Sequence, residues 1–140
     1  MKGLSAMKNI LIIPSLTDLE TSLSIAEKYG LGFEYNDFFI PDILDDVEKK
    51  NSIISKYKSH KLPVYTTMHG DFFDVTIFSS DREIRRISEM RIIQSIETAL
   101  ELGARSVIFH TNNNPFLKQP SYISGWLESN VNFFSQQLEK

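Results

Sequence analysis

Four apolar, strand-like runs alternate with four longer stretches of helical periodicity, and this alternation leaves few architectures open. Residues 9–13 form a continuous β-branched run, as expected of a strand buried on both faces. Residues 31–35, 64–68 and 106–109 form three more short strand-like runs. Strands that alternate with helices imply a parallel sheet with right-handed crossovers. The expected fold is therefore α/β, with parallel strands inside and helices outside. The chain has 140 residues, enough for one domain with a real core. No linker or low-complexity tract divides it.

The helix boundaries follow from capping chemistry. Thr17, with Glu20 three residues on, reads as a capping box. Leu19, Leu23 and Ala26 face inward, and Gly30 stops the helix. Asp45 with Glu48 opens the second helix, which turns Val47, Ile54 and Tyr57 inward. Ser80 with Glu83 opens the third. Its expected buried stripe is Ile84, Ile87, Ile92, Ile96, Ala99 and Leu100, and Gly103 closes it. The fourth starts at about Ser121 and carries Ile123, Leu127, Val131, Phe134 and Leu138 at helical spacing.

Composition removes several function classes. With no cysteine there is no disulfide, thiolate zinc site or cysteine nucleophile. This fits a reducing cytoplasm, the expected location. No apolar stretch reaches the roughly 18 residues of a membrane span, so no membrane partner is expected. The N-terminus lacks a signal-peptide shape. Residues 1–6 read as a disordered extension or an alternative start, with the domain over 7–140. A net charge of −3 argues against a nonspecific nucleic-acid grip. The cluster Arg82, Arg85 and Arg86 reads as a solvated helix face. No P-loop, GxGxxG, GxSxG or HExxH is present.

The candidate chemistry lies where strands run out. Glu34 follows LGF, His69 follows VYTTM and His110 follows SVIF, at intervals of 35 and 41 residues. In a barrel of such units these places face the active site at the C-terminal rim. Three polar groups on neighbouring strands, about 4.8 Å apart, would converge there. Imidazoles suit Zn, Mn or Fe, and a carboxylate suits these and Mg. The same trio could hold a sugar hydroxyl or shuttle a proton. The plainer reading makes each a hydrogen-bonded rim residue. Asp71 and Asp74 could orient the His69 imidazole, or serve as turn residues. Asn112–Asn114 could bind hydroxyls or shape a turn. His60 reads as solvent-exposed, and Trp126 as a packing residue.

These residues carry a resemblance. The stretch MHGDFFDVTIFSSDREIRRISEMRIIQSIETALELGARSVIFHTNNNPF and the helix with SYISGWLESNVNFF resemble the xylose-isomerase-like TIM-barrel superfamily. That group holds sugar phosphate isomerases and epimerases and, more distantly, zinc AP endonucleases. LGFEYND resembles its strand-two Glu segment. The likeness covers nearly all of residues 8–140 but only the first four units of an eight-unit fold. It implies metal-assisted proton transfer on a sugar or sugar phosphate. Glu34, His69 and His110 are the implied catalytic positions, and Asp71 and Asn112 the substrate contacts. His69 and His110 are the implied ligands of a divalent Zn, Mn or Mg ion, with further ligands from strands five to eight. One alternative is an AP-endonuclease-like zinc phosphodiesterase. Another is a non-catalytic half-barrel. Two open strand edges and uncovered apolar faces imply a homodimer, or a C-terminal half supplied separately.

Overall fold

The computed structural model describes residues 10–138. The elements run β1 Leu11–Ile12, α1 Leu19–Tyr29, β2 Gly32–Tyr35, α2 Pro41–Leu44 and α3 Val47–Lys58. They continue with β3 Thr66–His69, α4 Arg82–Leu102, β4 Ser106–Ile108 and α5 Pro120–Leu138. The four strands form one parallel sheet in the order β1-β2-β3-β4. With helices on one side, this is the (βα)4 half of a TIM barrel that the alternation predicted. The expected extension over 1–6, and the start of the domain at residue 7, lie outside the described residues.

Register sorts the side chains onto two faces. Phe33 stands opposite Thr66, Glu34 opposite Thr67 and Tyr35 opposite Met68. Phe33, Tyr35 and Met68 point to the helices and join Leu19, Phe38, Ile54, Tyr57 and Leu102 in the main core. Period-two alternation puts Glu34, Thr67, His69, Ser106 and Ile108 on the other face. That face is the inside of the barrel.

All three expected N-caps sit one residue too early. The observed caps are Asp18, Asp46 and Asp81, not Thr17, Asp45 and Ser80. In each case a cap-type residue directly precedes an aspartate. A carboxylate accepts a stronger, charge-assisted bond at the positive end of the helix. Asp46 Oδ1 accepts from Lys49 N at 2.9 Å, and Asp81 Oδ1 from Glu83 N at 2.8 Å. Thr17 instead pairs its hydroxyl with Ser15. Asp45 ends the short helix α2, whose first residue is Pro41. Its carboxylate takes a two-pronged grip from Arg91, which holds it below the usual carboxylate range. Val47, the first residue of α3, is exposed rather than inward. The third strand begins at Thr66, and Val64 ahead of it is exposed.

Helix α4 departs furthest from expectation. Ile84 and Ile87 are exposed, and Leu100 is 74% exposed. The buried residues are Ser88, Ile92, Ser95, Thr98, Ala99 and Leu102. The hydroxyls go inward because the helix satisfies them. Ser88, Ser95 and Thr98 each donate to the carbonyl four residues back, at 2.8, 3.0 and 2.8 Å. Two of them also accept from the loop after β3: Ser88 Oγ from Thr76 N and Ser95 Oγ from Asp71 N. The polar stripe thus ties the loop of residues 70–81 to the helix beneath it.

Candidate functional site

His69 ends β3, and His110 lies two residues beyond β4. Their Nε2 atoms are 3.1 Å apart. His69 Nδ1 lies 2.9 Å from Gly70 O. A carbonyl only accepts, so Nδ1 carries the proton and Nε2 of the neutral ring keeps its lone pair. His110 then donates from its own Nε2. Gly70 is constrained in turn, because a Cβ there would overlap the Phe109 ring.

Three phenylalanines cluster beside the pair. Phe72 stacks on His110, with centroids 4.6 Å apart and planes at 30°, and meets His69 edge-on at 4.8 Å. Phe39 lies 5.5 Å from Phe72 and 6.4 Å from His69. Phe73 stands 4.2 Å from Phe72, with 55% of its surface open. The two imidazoles therefore sit on a partly exposed aromatic patch at the C-terminal rim.

Of the three strand-end residues, the two histidines come together and Glu34 does not join them. Glu34 stands opposite Thr67, two residues below His69 on the inner face. It is half-buried there. Among the described residues, no three His, Asp or Glu side chains are grouped to hold a metal ion.

Asp71 is only 1% exposed, and neither carboxylate oxygen makes a hydrogen bond of good geometry. Burial pushes its pKa up; the nearby Arg91 charge and the Phe72 and Phe73 amides oppose that in part. It does not orient His69; the Gly70 carbonyl does. Asp74 takes the left-handed conformation, φ 58°, that suits a turn. Asn112 is also left-handed, φ 46°. Its Nδ2 donates to Phe72 O at 2.7 Å and Val75 O at 2.6 Å, strapping the loop after β4 to the loop after β3. His60 caps the end of α3, with Nδ1 3.0 Å from Lys56 O. Trp126 Nε1 donates to Thr111 O at 2.9 Å, a packing role. Arg82 and Arg86 are exposed, and Arg86 pairs with Glu83 on the solvated face.

The aromatic patch escaped sequence reasoning, although a signal existed. Asp37-Phe38-Phe39 follows β2 and Asp71-Phe72-Phe73 follows β3, the same tripeptide at the same point of two units. In both copies a hydroxyl from an outer helix holds the aspartate. Tyr57 Oη donates to Asp37 at 2.6 Å, and Ser95 Oγ accepts from Asp71 N.

A groove of about 600 Å³, lined by Leu23, Gly32, Lys61, Tyr65 and Arg105, opens at the opposite end of the sheet. In TIM barrels the N-terminal face serves stability and the C-terminal face carries chemistry. The histidine rim is therefore the candidate site.

No family model matches the chain. Two solved structures share its fold. A D-tagatose 3-epimerase-like protein superposes with a TM-score of 0.63 and 19% identity, covering 93% of this chain and 48% of its own. The TTHB071 protein from Thermus thermophilus, described as soaked with ZnCl2, gives 0.59 and 18%, covering 88% and 52%. The chain thus spans about half the length of the proteins it matches, which establishes its fold as half of a TIM barrel.

Proposed function

We propose that the chain forms the histidine-bearing half of a sugar or sugar phosphate isomerase or epimerase that moves a proton with the help of a divalent metal. One observation carries this reading: two imidazoles meet through Nε2 at 3.1 Å on an aromatic patch at the C-terminal rim. Zn–N bonds of about 2.0–2.1 Å at tetrahedral angles place two ligand nitrogens about 3.3–3.4 Å apart. The pair therefore fits a metal with small movement. His69 is oriented for it, since its Nδ1–H is engaged by Gly70 O. His110 needs only to carry its proton on Nδ1. The remaining ligands come from water, substrate or residues beyond the described set. A metal bound there would polarise a substrate carbonyl as a Lewis acid.

The other residues take roles around that centre. Phe72, Phe39 and Phe73 offer ring faces to the apolar face of a sugar. Asn112 commits its amide N–H groups to the loop and keeps Oδ1 for a substrate hydroxyl. Glu34, one layer inside the rim, supplies a carboxylate for a substrate that reaches into the barrel. Asp71, buried one residue before Phe72, anchors the loop after β3 through its backbone N–H to Ser95 Oγ. The D-tagatose 3-epimerase-like neighbour favours a ketose among the sugars.

Nuclear magnetic resonance of the histidine ring nitrogens tests this reading. Zinc or manganese should shift both Nε2 signals, and His69→Ala should abolish the effect. A ketose or ketose phosphate should then perturb the Phe72 ring signals. Metal binding that survives His69→Ala, with no sugar perturbing Phe72, would overturn the proposal.

A further inference from the structure

We infer that a second copy of this chain completes the barrel, with β4 of each copy pairing to β1 of the other. This stands on the fold and is independent of the reaction. The central strands are closed off: Phe33, Tyr35 and Met68 are fully buried. Both flanks are open. At one, β1 pairs only with β2, and Ile10 and Ile13 beside it are exposed. At the other, β4 pairs only with β3, and Ser106 and Ile108 are exposed. Beside β4, Ile123, Leu127 and Val131 of α5 are 43, 53 and 54% exposed. Their four-residue spacing makes one stripe. The helix from Pro120 to Leu138 carries a single charged residue, Glu128. Such a face is built to be covered.

The two open flanks select the partner. An occupant must present a β1-type edge to β4 and a β4-type edge to β1, both parallel. A second copy does this through a twofold axis, each contact made twice. Two sets of four units also supply the full eight of a barrel. Closure would set a second His69–His110 pair on the far arc of the same rim, so the partner contributes to the site.

The register predicts which residues meet. From Leu11 the observed pairings lead through Gly32 to Tyr65 and Ala104. An eight-stranded barrel of this type has a total shear of about eight residues, hence about four for each half. The shift runs toward the C-terminus of β4, because His69 stands opposite Ile108 in register yet meets His110 at the rim. Ile108 is therefore expected opposite Leu11 of the second copy.

Sedimentation velocity and disulfide mapping test this. The chain has no cysteine, so single-cysteine variants report cleanly. The wild type should sediment at twice its 16.1 kDa chain mass. Val131→Arg, on an exposed position, should shift it to the monomer while its circular dichroism is unchanged. Mixing Leu11→Cys with Ile108→Cys should give a disulfide-linked heterodimer, and neither variant alone should cross-link. Should Leu11→Cys fail to fold, Ile10→Cys paired with Val107→Cys, one residue earlier on each strand and on the shared outer face, takes its place. A monomer at all concentrations, open-ended aggregates, or a dimer without the mixed cross-link would overturn the inference.

Discussion

Replacing Asp71 with Asn should stabilise the protein at neutral pH, which reverses the usual outcome of a core substitution. The side chain is 1% exposed, and neither oxygen makes a hydrogen bond of good geometry, the Phe72 and Phe73 amides offsetting the burial only in part. An unpaired neutral polar group in such a place costs about 1–3 kcal/mol, and a carboxylate costs more. Arg91 recovers part of that difference at a distance, but its guanidinium is committed to Asp45. Asparagine keeps the shape, removes the charge and leaves the Asp71 N to Ser95 Oγ bond in place. The expected gain is about 1 kcal/mol at pH 7, or about 4 °C in Tm for a domain of this size. The sign with pH follows from linkage. Burial raises the folded-state pKa of Asp71, so the folded chain binds a proton that the unfolded chain releases. The favourable contribution is full below the unfolded pKa and is lost as pH rises through the folded one. Wild type and variant should therefore converge on acidification toward pH 4, diverge as pH rises to the raised pKa, and differ by a constant amount above it. Thermal unfolding of both proteins from pH 4 to 8 measures this. A variant less stable at pH 7, or a difference flat with pH, would refute the reasoning and show the carboxylate to be paired.

Three further outcomes follow from single contacts. Tyr57→Phe removes the donor to Asp37 at 2.6 Å and should cost about 1–3 kcal/mol at pH 7. Burial already raises the Asp37 pKa while the Tyr57 bond lowers it, so this loss should shrink in acid; urea unfolding at two pH values reads it. Asn112→Ala breaks both amide bonds to the loop after β3 and leaves a β-carbon at φ 46°. It should cost about 2–3 kcal/mol and shift the His69 and His110 ring signals as Phe72 loses its anchor. Gly32→Ala should cost about 2–3 kcal/mol in denaturant melts, because its Cβ would overlap the Tyr65 carbonyl and a Leu11 methyl. An unchanged melting profile would show that β1 and β3 can part at no cost.

The fold was legible because short strand-like runs and helical periods alternate along the chain, and the parallel sheet follows from that order. The errors were local and had physical causes. Three caps slipped by one residue because Thr17, Asp45 and Ser80 each precede an aspartate that binds the helix end better. In α4 Ile92, Ile96 and Ala99 do turn toward the core, but Ile84, Ile87 and Leu100 do not, and Ser88, Ser95 and Thr98 bring their own carbonyl partners and can be buried cheaply. The α5 spacing was right, but spacing does not say what lies opposite.

The site was legible only where strand ends dictate it. His69 and His110 meet because adjacent parallel strands carry them to one rim. Glu34 stayed apart because the β2–β3 register sets it opposite Thr67, and register is absent from a single sequence. The aromatic patch was written in the repeated Asp-Phe-Phe, but its meaning depends on what each aspartate meets. The Asp37 carboxylate accepts from the Tyr57 hydroxyl, whereas the Asp71 carboxylate makes no hydrogen bond of good geometry. Buried polar groups are satisfied almost everywhere in native proteins, so a buried carboxylate with no hydrogen bond of good geometry, next to Phe72 in the chain, is an exception with a location. Local rules are broken chiefly where a site demands it. If Asp71→Asn proves stabilising, the chain retains at that position a charge its fold does not want, one residue from the ring that stacks on His110. That outcome would place Asp71 in the site on energetic grounds, without any reference to a relative.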